Sequence, residues 1–356
     1  MIMAASTEMK LNALAMGALA KYPISIVCLV GLLVAFVFLW SSLQQMHCSS
    51  HLDLDIDLAV DRGSLAAIAA TTSFTVEELE AFDKILKAAS LSNEKRIILT
   101  TLNQAWASSG SMLDHFLESF RDGNGISWLL QHVVIIAMDE PSHKRCLAIH
   151  GHCFQMTSKG VDFSAQEKQF MSKDYLKMTR EKIMLMGIVL RMGFSFIFTD
   201  GDVMWFRDPF QHFTPDADLE LSCDYFFGNA SDMNNAPNTG FFHARSNQRT
   251  IRLYKFWYDS HETFPGRHDQ DVFKAIKGTK TFQDLGLKVR FLPTQYFEGF
   301  CAPVKNFDKV STVHANCCVG LQKKLQDLTL LREDWKRYKL ASEKVEWRVP
   351  KHCKLK

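Results

Sequence analysis

Short apolar runs alternate with amphipathic stretches through the middle of the chain. The runs at Ile97–Leu102 and Val133–Ala137 have the length of strands, and between them Leu113–Gly123 repeats its apolar residues at helical spacing. A strand, a helix and a second strand in this order predict the beginning of a parallel α/β sheet.

A longer amphipathic helix is predicted over Lys173–Gly193, where apolar residues recur at helical spacing up to a glycine that suits the C-terminal stop. The run FSFIFT, Phe194–Thr199, follows at once. Its apolar residues do not alternate with polar ones, as in a central strand that is covered on both faces. Ligands of open α/β sheets bind at the carboxyl ends of strands. Asp200 and Asp202 therefore stand where a site is expected.

Further elements are predicted towards the C-terminus. The predicted strands are DLELSCDYF, GFFHA and KVRFLP, and SNQRTIRLYKFWYDS has the pattern of a helix. No internal repeat or low-complexity tract interrupts this order.

The N-terminal segment Tyr22–Trp40 carries no charged residue. A bilayer-spanning helix needs roughly 17–25 apolar residues, whereas the apolar region of a cleaved signal peptide, the alternative, has only about 7–15. Lys10 and Lys21 precede the segment and acids follow it, which favours a cytoplasmic N-terminus with the body in the secretory lumen. The predicted organisation is a cytoplasmic tail at 1–21, a transmembrane signal-anchor at 22–42, a stem at 43–92, a globular domain at 93–340 and a C-terminal tail at 341–356.

The amino-acid composition limits the classes of function that the chain can have. The 356 residues are 47% hydrophobic with a net charge of +2, so the chain can build a core and offers no electrostatic case for nucleic acid. Some of the nine cysteines would pair in an oxidising lumen. Cys146 and Cys153 are near enough for a short bridge, although the pairing stays open. The alternative, a zinc site, lacks a two-residue-spaced cysteine pair. Asn229 begins a glycosylation sequon.

The chemistry of an Asp-x-Asp pair depends on a cation. Asp200 and Asp202 repel one another unless a positive charge lies between them. Oxygen ligands suit Mg²⁺ or Mn²⁺, and such an ion also binds phosphate oxygens. A solvated turn is the commoner setting of an acid pair, but here a buried strand precedes the pair and MWF follows it. We therefore expect a metal site that is suited to a nucleotide-sugar diphosphate.

A second enzyme class places Asp-x-Asp after an apolar strand, namely the haloacid-dehalogenase-type phosphatases. Their pattern wants Thr or Val two residues after the second acid, where this chain has Met204. No later acidic pair is evident for their magnesium.

Four segments in order, TDGDVMWFRDP, APNTGFFHARSNQRTI, HDQDVF and VHANCCVGLQKKLQDL, resemble the plant nucleotide-diphospho-sugar transferase family. This is glycosyltransferase family 77, which includes extensin arabinosyltransferases and rhamnogalacturonan-II xylosyltransferases. The resemblance runs from about Lys95 to about Tyr338. It implies a GT-A fold, which is a Rossmann-like α/β fold with a mixed, mostly parallel sheet flanked by helices. It also implies a Golgi type II membrane protein that uses Mn²⁺ and a UDP-sugar and retains the anomeric configuration.

The resemblance assigns the metal ligands. Asp200 and Asp202 match the metal-binding pair, with Gly201 where family members often carry Ala or Val. His314 stands where related GT-A enzymes supply a third ligand, although a lone histidine is otherwise more often a core or surface residue.

Donor contacts are assigned on the same basis. Asn103 and Asp139 end the first two strands and are expected to hold the uridine, with turn formation as the alternative. Lys182 is expected to face the diphosphate. It is preferred to Arg180, which replaces an expected Trp.

Two later segments are expected beside the sugar. Asn238, Thr239 and Gly240 would contact the donor sugar, unless they form only a turn that needs a glycine. In HDQD, acids also suit a helix N-terminus without any function. We expect Asp271 nearest the reacting carbon, with Asp269 second and Gln270 beside them.

The combined hypothesis is a lumenal Golgi glycosyltransferase that acts on a cell-wall glycan or a hydroxyproline-rich glycoprotein. Its partners would be a nucleotide sugar, that acceptor and the membrane. A non-catalytic Golgi partner with the same fold is the alternative, and the intact acids argue against it. A homodimer stays open, since no feature of the sequence decides the oligomeric state.

Overall fold

The structure is a computed structural model, and it describes residues 61–91, 95–156, 170–341, 345 and 347–353. The predicted cytoplasmic tail at 1–21 and membrane span at 22–42 lie outside the described residues. Among the helices of the described part, none combines the length and the apolarity that a bilayer crossing requires.

A seven-stranded sheet forms the centre of the fold, in the order β3-β2-β1-β4-β7-β6-β8, and three short strands form a second sheet, in the order β5-β10-β9. The strands are β1 Arg96–Leu102, β2 Val133–Ala137, β3 Cys153–Gln155, β4 Ser195–Thr199, β5 Val203–Trp205, β6 Leu219–Tyr225, β7 Ala236–Ala244, β8 Val289–Phe291, β9 Phe297–Gly299 and β10 Thr312–His314. Every pairing in the large sheet is parallel except those of β7, which runs antiparallel to β4 and β6. The prediction of a mixed, mostly parallel sheet is confirmed.

Helices cover both faces of the large sheet. The helices are α1 Arg62–Ala69, α2 Val76–Ala89, α3 Gln104–Ala107, α4 Met112–Asp122, α5 Glu140–Ile149, α6 Lys173–Arg191, α7 Gln248–Thr263, α8 Asp269–Ile276, α9 Lys280–Asp284 and α10 Leu321–Leu340. Within β4, Phe196 and Phe198 point into the core under α6 and α7, whereas Ile197 joins the core under α4. Since all three are fully buried, FSFIFT is a central strand covered on both faces, as its composition predicted.

The small sheet connects the acid pair to the C-terminal part of the domain. β10 runs antiparallel to β5, so that His314 lies opposite Val203, directly after Asp202. Met204 and Phe206 pack into a third core with α10, which confirms that the MWF segment returns the chain to the interior. This packing holds the Asp200–Asp202 turn in place.

The folded unit begins earlier and ends later than predicted. Residues 43–92 were expected to be a stem, but α1 and α2 bury Leu65, Phe82 and Leu86 in the main core, and Thr75 caps α2 with a reciprocal capping box. The predicted tail 341–356 likewise carries buried Trp347. Apolar spacing in the first case and a disulfide in the second hold these segments on the body.

Within the described residues, three disulfides pair six of the seven cysteines. They are Cys146–Cys153, Cys301–Cys317 and Cys318–Cys353, and Cys223 is a buried free thiol. The short bridge predicted from spacing is confirmed, and the paired sulfurs are not available as zinc ligands.

Candidate active site

Strand direction explains why distant segments meet at one edge of the sheet. β4 and β6 run parallel and end there, whereas the antiparallel β7 begins there. The edge therefore collects Asp200 and Asp202 after β4, Asp224 near the end of β6, and the NTG segment, residues 238–240, near the start of β7. The small sheet adds His314.

Asp200, Asp202 and His314 form a group that could hold a metal ion, with one ligand atom from each within 4.8 Å of the others. His314 Nε2 is 3.3 Å from Asp202 Oδ1 and 3.9 Å from Asp200 Oδ2. Carboxylate oxygens are ligands that Mg²⁺ and Mn²⁺ prefer, and an imidazole nitrogen can complete such a ligand set. The residues present thus fit a divalent cation.

The two acids differ in their electrostatic setting. Burial works against ionisation of Asp202, but the Lys324 ammonium and His314 outweigh it and hold the pKa of Asp202 well below its usual range. Burial raises the pKa of Asp200, against the Lys182 ammonium, and the neighbouring carboxylate raises it further. A bound cation would remove this repulsion and allow both acids to ionise.

Two glycines shape this group. A Cβ on Gly240 would lie 2.2 Å from His314 Cε1 and 2.6 Å from Asp200 Oδ2, so no side chain fits there. A Cβ on Gly201 would lie 2.9 Å from Leu102 Cδ2 and 3.4 Å from a carbon of the Trp106 ring. The departure from Ala or Val at Gly201 therefore has a local cause, because Leu102 and Trp106 occupy the space.

Lys182 lies at the centre of the site. Its Nζ is 2.8 Å from Asp269 Oδ2 and 3.9 Å from Asp200 Oδ1. Although burial opposes its charge, these acids raise the pKa of Lys182. Arg180 instead pairs with Glu262. Of the two cations considered from the sequence, the structure thus brings only Lys182 to the acid pair.

The HDQD segment, residues 268–271, divides into buried and exposed members. Asp269 is 3% exposed and accepts a hydrogen bond from Thr239 Oγ1. Burial opposes its ionisation, but Lys182 and His268 hold the pKa of Asp269 below its usual range. Gln270 accepts from the Thr239 N–H and donates to Asp224. The Asp271 side chain is 42% exposed and lies 3.4 Å from His268 Nε2.

The two residues expected to hold uridine are helix caps in this structure. Asn103 Oδ1 accepts from the N–H of Trp106 and caps α3. Asp139 accepts from the N–H of Ser142 and of Gln104, using both carboxylate oxygens. Turn and cap formation accounts for both residues, and the uridine contact stays a prediction.

Sequence reasoning missed two charged residues of the site. Lys324 Nζ is 2.6 Å from Asp202 Oδ2, and Asp224 accepts from Asn238, Gln270 and Asn316. Asp224 follows the same strand-end rule that singled out Asp200, so it could have been found. Lys324 had no such signal, because only the packing of α10 brings it to the acids.

Asn229 lies exposed in the loop between β6 and β7, and its Oδ1 accepts from the N–H of Ser231. The position is compatible with a glycan, and glycosylation of Asn229 stays a prediction.

Comparison with known proteins gives consistent matches. The model of a family described as nucleotide-diphospho-sugar transferase matches residues 128–328. The uncharacterized protein At4g15970 of Arabidopsis thaliana is 42% identical over 80% of this chain and 76% of its own length. Arabinosyltransferase XEG113 of the same plant is 26% identical over 47% of this chain and 29% of its own length. The solved structure of glycosyltransferase GlyE from Streptococcus pneumoniae is 15% identical, with a TM-score of 0.42 over 70% of this chain and 61% of that chain.

Proposed function

Because the chain belongs to the nucleotide-diphospho-sugar transferase family, we propose that it moves a sugar from a UDP-sugar donor to an acceptor hydroxyl with retention of the anomeric configuration. The observation that carries the proposal is the convergence of Asp200, Asp202 and His314 beside Lys182. A divalent metal ion and fixed positive charge can each neutralise an anionic diphosphate, and this edge of the sheet offers residues for both.

Asp200, Asp202 and His314 would hold the divalent ion, which we propose to be Mn²⁺, with Mg²⁺ as the alternative. When bound, such an ion neutralises the diphosphate and stabilises it as a leaving group. Lys182 and Lys324 each lie beside one of the acids, with Nζ atoms 3.9 Å from Asp200 and 2.6 Å from Asp202. Their charges support binding of the donor diphosphate at this edge.

Departure of the diphosphate leaves an oxocarbenium-like carbon, which a nearby carboxylate or amide stabilises. Asp271 remains our first candidate for that position, because its side chain is partly exposed. Asp269 is the second candidate, but its carboxylate is buried against Lys182 and Thr239. The side-chain oxygen and nitrogen of Gln270 are both hydrogen-bonded, to Thr239 and to Asp224. Gln270 is therefore suited to position the NTG segment rather than to move during the reaction.

For the acceptor we propose a cell-wall glycan or a hydroxyproline-rich glycoprotein, as the resemblance to glycosyltransferase family 77 implies. For the location we propose the Golgi lumen, with a type II anchor at 22–42. The disulfides support an oxidising compartment.

A titration calorimetry panel tests the donor class. With Mn²⁺ present, the purified protein should bind at least one of UDP-xylose, UDP-galactose and UDP-arabinose, and chelation of the metal should abolish the heat of binding. Absence of binding to every UDP-sugar of a full panel would contradict the proposal.

The non-catalytic alternative predicts a different phenotype when one acid of the pair is replaced in vivo. Asp202→Ala should abolish the biological role of an enzyme, whereas it should leave the phenotype of a scaffold intact.

A further inference from the structure

Three amide side chains converge on the carboxylate of Asp224. Asn238 Nδ2 and Asn316 Nδ2 donate to Oδ1 at 2.7 and 3.0 Å, and Gln270 Nε2 donates to Oδ2 at 2.8 Å. The Asp224 side chain is only 13% exposed. An ionised carboxylate only accepts hydrogen bonds, so it fixes which end of each amide faces it.

The orientation of Asn238 is determined from both ends. Its Nδ2 faces Asp224, and its Oδ1 accepts from the backbone N–H of Gly240 at 2.8 Å. A flipped amide would place a donor against the Gly240 N–H and an acceptor against the carboxylate. The Asn238 oxygen is therefore held in place, and it lies 3.1 Å from His314 Nδ1.

An oxygen acceptor opposite Nδ1 requires that Nδ1 carry the proton. A neutral imidazole then has its free lone pair on Nε2. That nitrogen faces Asp202 Oδ1 at 3.3 Å and Asp200 Oδ2 at 3.9 Å. These carboxylate oxygens are acceptors as well, so a bound cation would take the place of a proton on Nε2, while Asn238 keeps the proton on Nδ1.

We propose that Asn238, anchored by Asp224 and by the Gly240 N–H, is a positioning residue that fixes the tautomer and orientation of His314, so that Nε2 is its metal-binding nitrogen. This role differs from the donor-sugar contact expected for Asn238 from the sequence. The inference rests on the proposed function for the identity of the ion. Hydrogen bonds of this kind orient metal-ligating histidines and raise their affinity for the metal.

Nitrogen-15 spectroscopy tests the tautomer directly. The Nδ1 of His314, assigned by difference against His314→Gln, should carry a proton in the metal-free protein at alkaline pH. In Asn238→Leu, which has a similar volume and no acceptor, the ring should shift towards the Nε2-protonated form. A wild-type His314 whose Nδ1 carries no proton would overturn the proposal without the need for any variant.

Metal binding provides the second readout. Titration of Mn²⁺ in the presence of UDP, followed by electron paramagnetic resonance, should show an affinity about 10–100-fold weaker for Asn238→Leu than for wild type. Asn316→Ala is the matched control, because it removes another amide donor from Asp224 and leaves the contact between Asn238 and His314. It should bind Mn²⁺ with nearly wild-type affinity.

Two results contradict the proposal, namely wild-type Mn²⁺ affinity in Asn238→Leu, and equal losses in Asn238→Leu and Asn316→Ala. If wild-type protein binds no Mn²⁺, the proposed function loses its metal, and the nitrogen-15 spectrum still decides the tautomer. The two failures are therefore distinguishable.

Discussion

A single methyl group added at residue 240 would decide whether Asp200, Asp202 and His314 can come close enough to hold a metal ion. Gly240→Ala would push His314 and Asp200 apart, since its Cβ has no space between them. We expect a loss of metal-dependent turnover on the order of 10²-fold, the typical effect of a displacement of about 1 Å in an active site. The matched variant Gly201→Ala meets mainly the flexible end of Leu102 and should lose much less. Equal turnover of Gly240→Ala and wild type would contradict the geometry of the site.

The buried ion pair of Lys182 and Asp269 can be compared with the more exposed ion pair of Arg180 and Glu262. Lys182→Met leaves a buried carboxylate without its partner, which typically costs about 3–5 kcal/mol of unfolding free energy. Arg180→Met breaks the more exposed pair with Glu262 and should cost about 0–1 kcal/mol. Urea denaturation measures both values. A Lys182→Met protein as stable as Arg180→Met would show that Asp269 does not depend on Lys182.

At the residue scale, the sequence identified residues that follow directly from local patterns. Asp200 and Asp202 follow an apolar strand, and the structure places them beside His314. Lys324 comes 122 positions after Asp202 along the chain, so no local pattern connects them. The capping roles of Asn103 and Asp139 follow from helices that the sequence analysis did not predict.

At the scale of elements, the strand β9 carries the buried acid Glu298, which accepts a hydrogen bond from the Lys305 N–H in the loop that follows the strand. Burial raises the pKa of Glu298 from 4.5 to about 7, against hydrogen bonds from the backbone N–H groups of Lys305, Val304 and Asn306. Between these two pH values the folded protein keeps a proton that the unfolded chain releases. The free energy of unfolding should therefore fall as pH rises, by roughly 1.4 kcal/mol per unit within this window.

Glu298→Gln keeps the side-chain oxygen that accepts from Lys305 but cannot ionise. Its unfolding free energy should vary less steeply than that of wild type between about pH 4.5 and about pH 7. Denaturant titrations across this range measure the difference. Parallel pH profiles for the two proteins would exclude a raised pKa at Glu298.

The disulfide Cys318–Cys353 fixes the C-terminal residues to the third core. Cys353→Ser should lower the unfolding free energy by about 2–4 kcal/mol, because the bridge restricts the unfolded chain. Cys223→Ser is a control at a buried free thiol that closes no loop. Thermal or denaturant unfolding under non-reducing conditions measures both. If Cys353→Ser unfolds like wild type, the C-terminal segment does not contribute to stability through this bridge.

Long elements were predictable from the chain, whereas the three-residue strands were not, apart from β8, which lies within KVRFLP. The patterns of β1, β2, β4 and α6 carry enough apolar residues to show their period. β5, β9 and β10 have three residues each, too few for any period, and they form only because they pair with each other. That is why the small sheet that carries His314 was not predicted.

At the scale of the whole molecule, strand direction brings the residues of the candidate active site to one edge of the large sheet. Helical crossovers join the parallel strands. The sequence predicted such a parallel α/β sheet from its alternation of strands and helices. The reversal of β7 places the NTG segment at the same edge as the acid pair. The sequence analysis assigned the residues of α1 and α2 to a stem, because residues 43–92 are polar in composition, although VEELEAFDKILKAAS within them has a helix-like pattern.

The central claim is that the group at Asp200, Asp202 and His314 serves metal-dependent transfer from a UDP-sugar. Release of UDP from a donor panel by the purified protein, measured with Mn²⁺ and with a chelator, tests it most directly in wild type and in Asp202→Asn. We expect at least one donor to release UDP with Mn²⁺ only, and Asp202→Asn to lose that activity while it remains folded. No release from any donor, or equal release by Asp202→Asn, would contradict the claim.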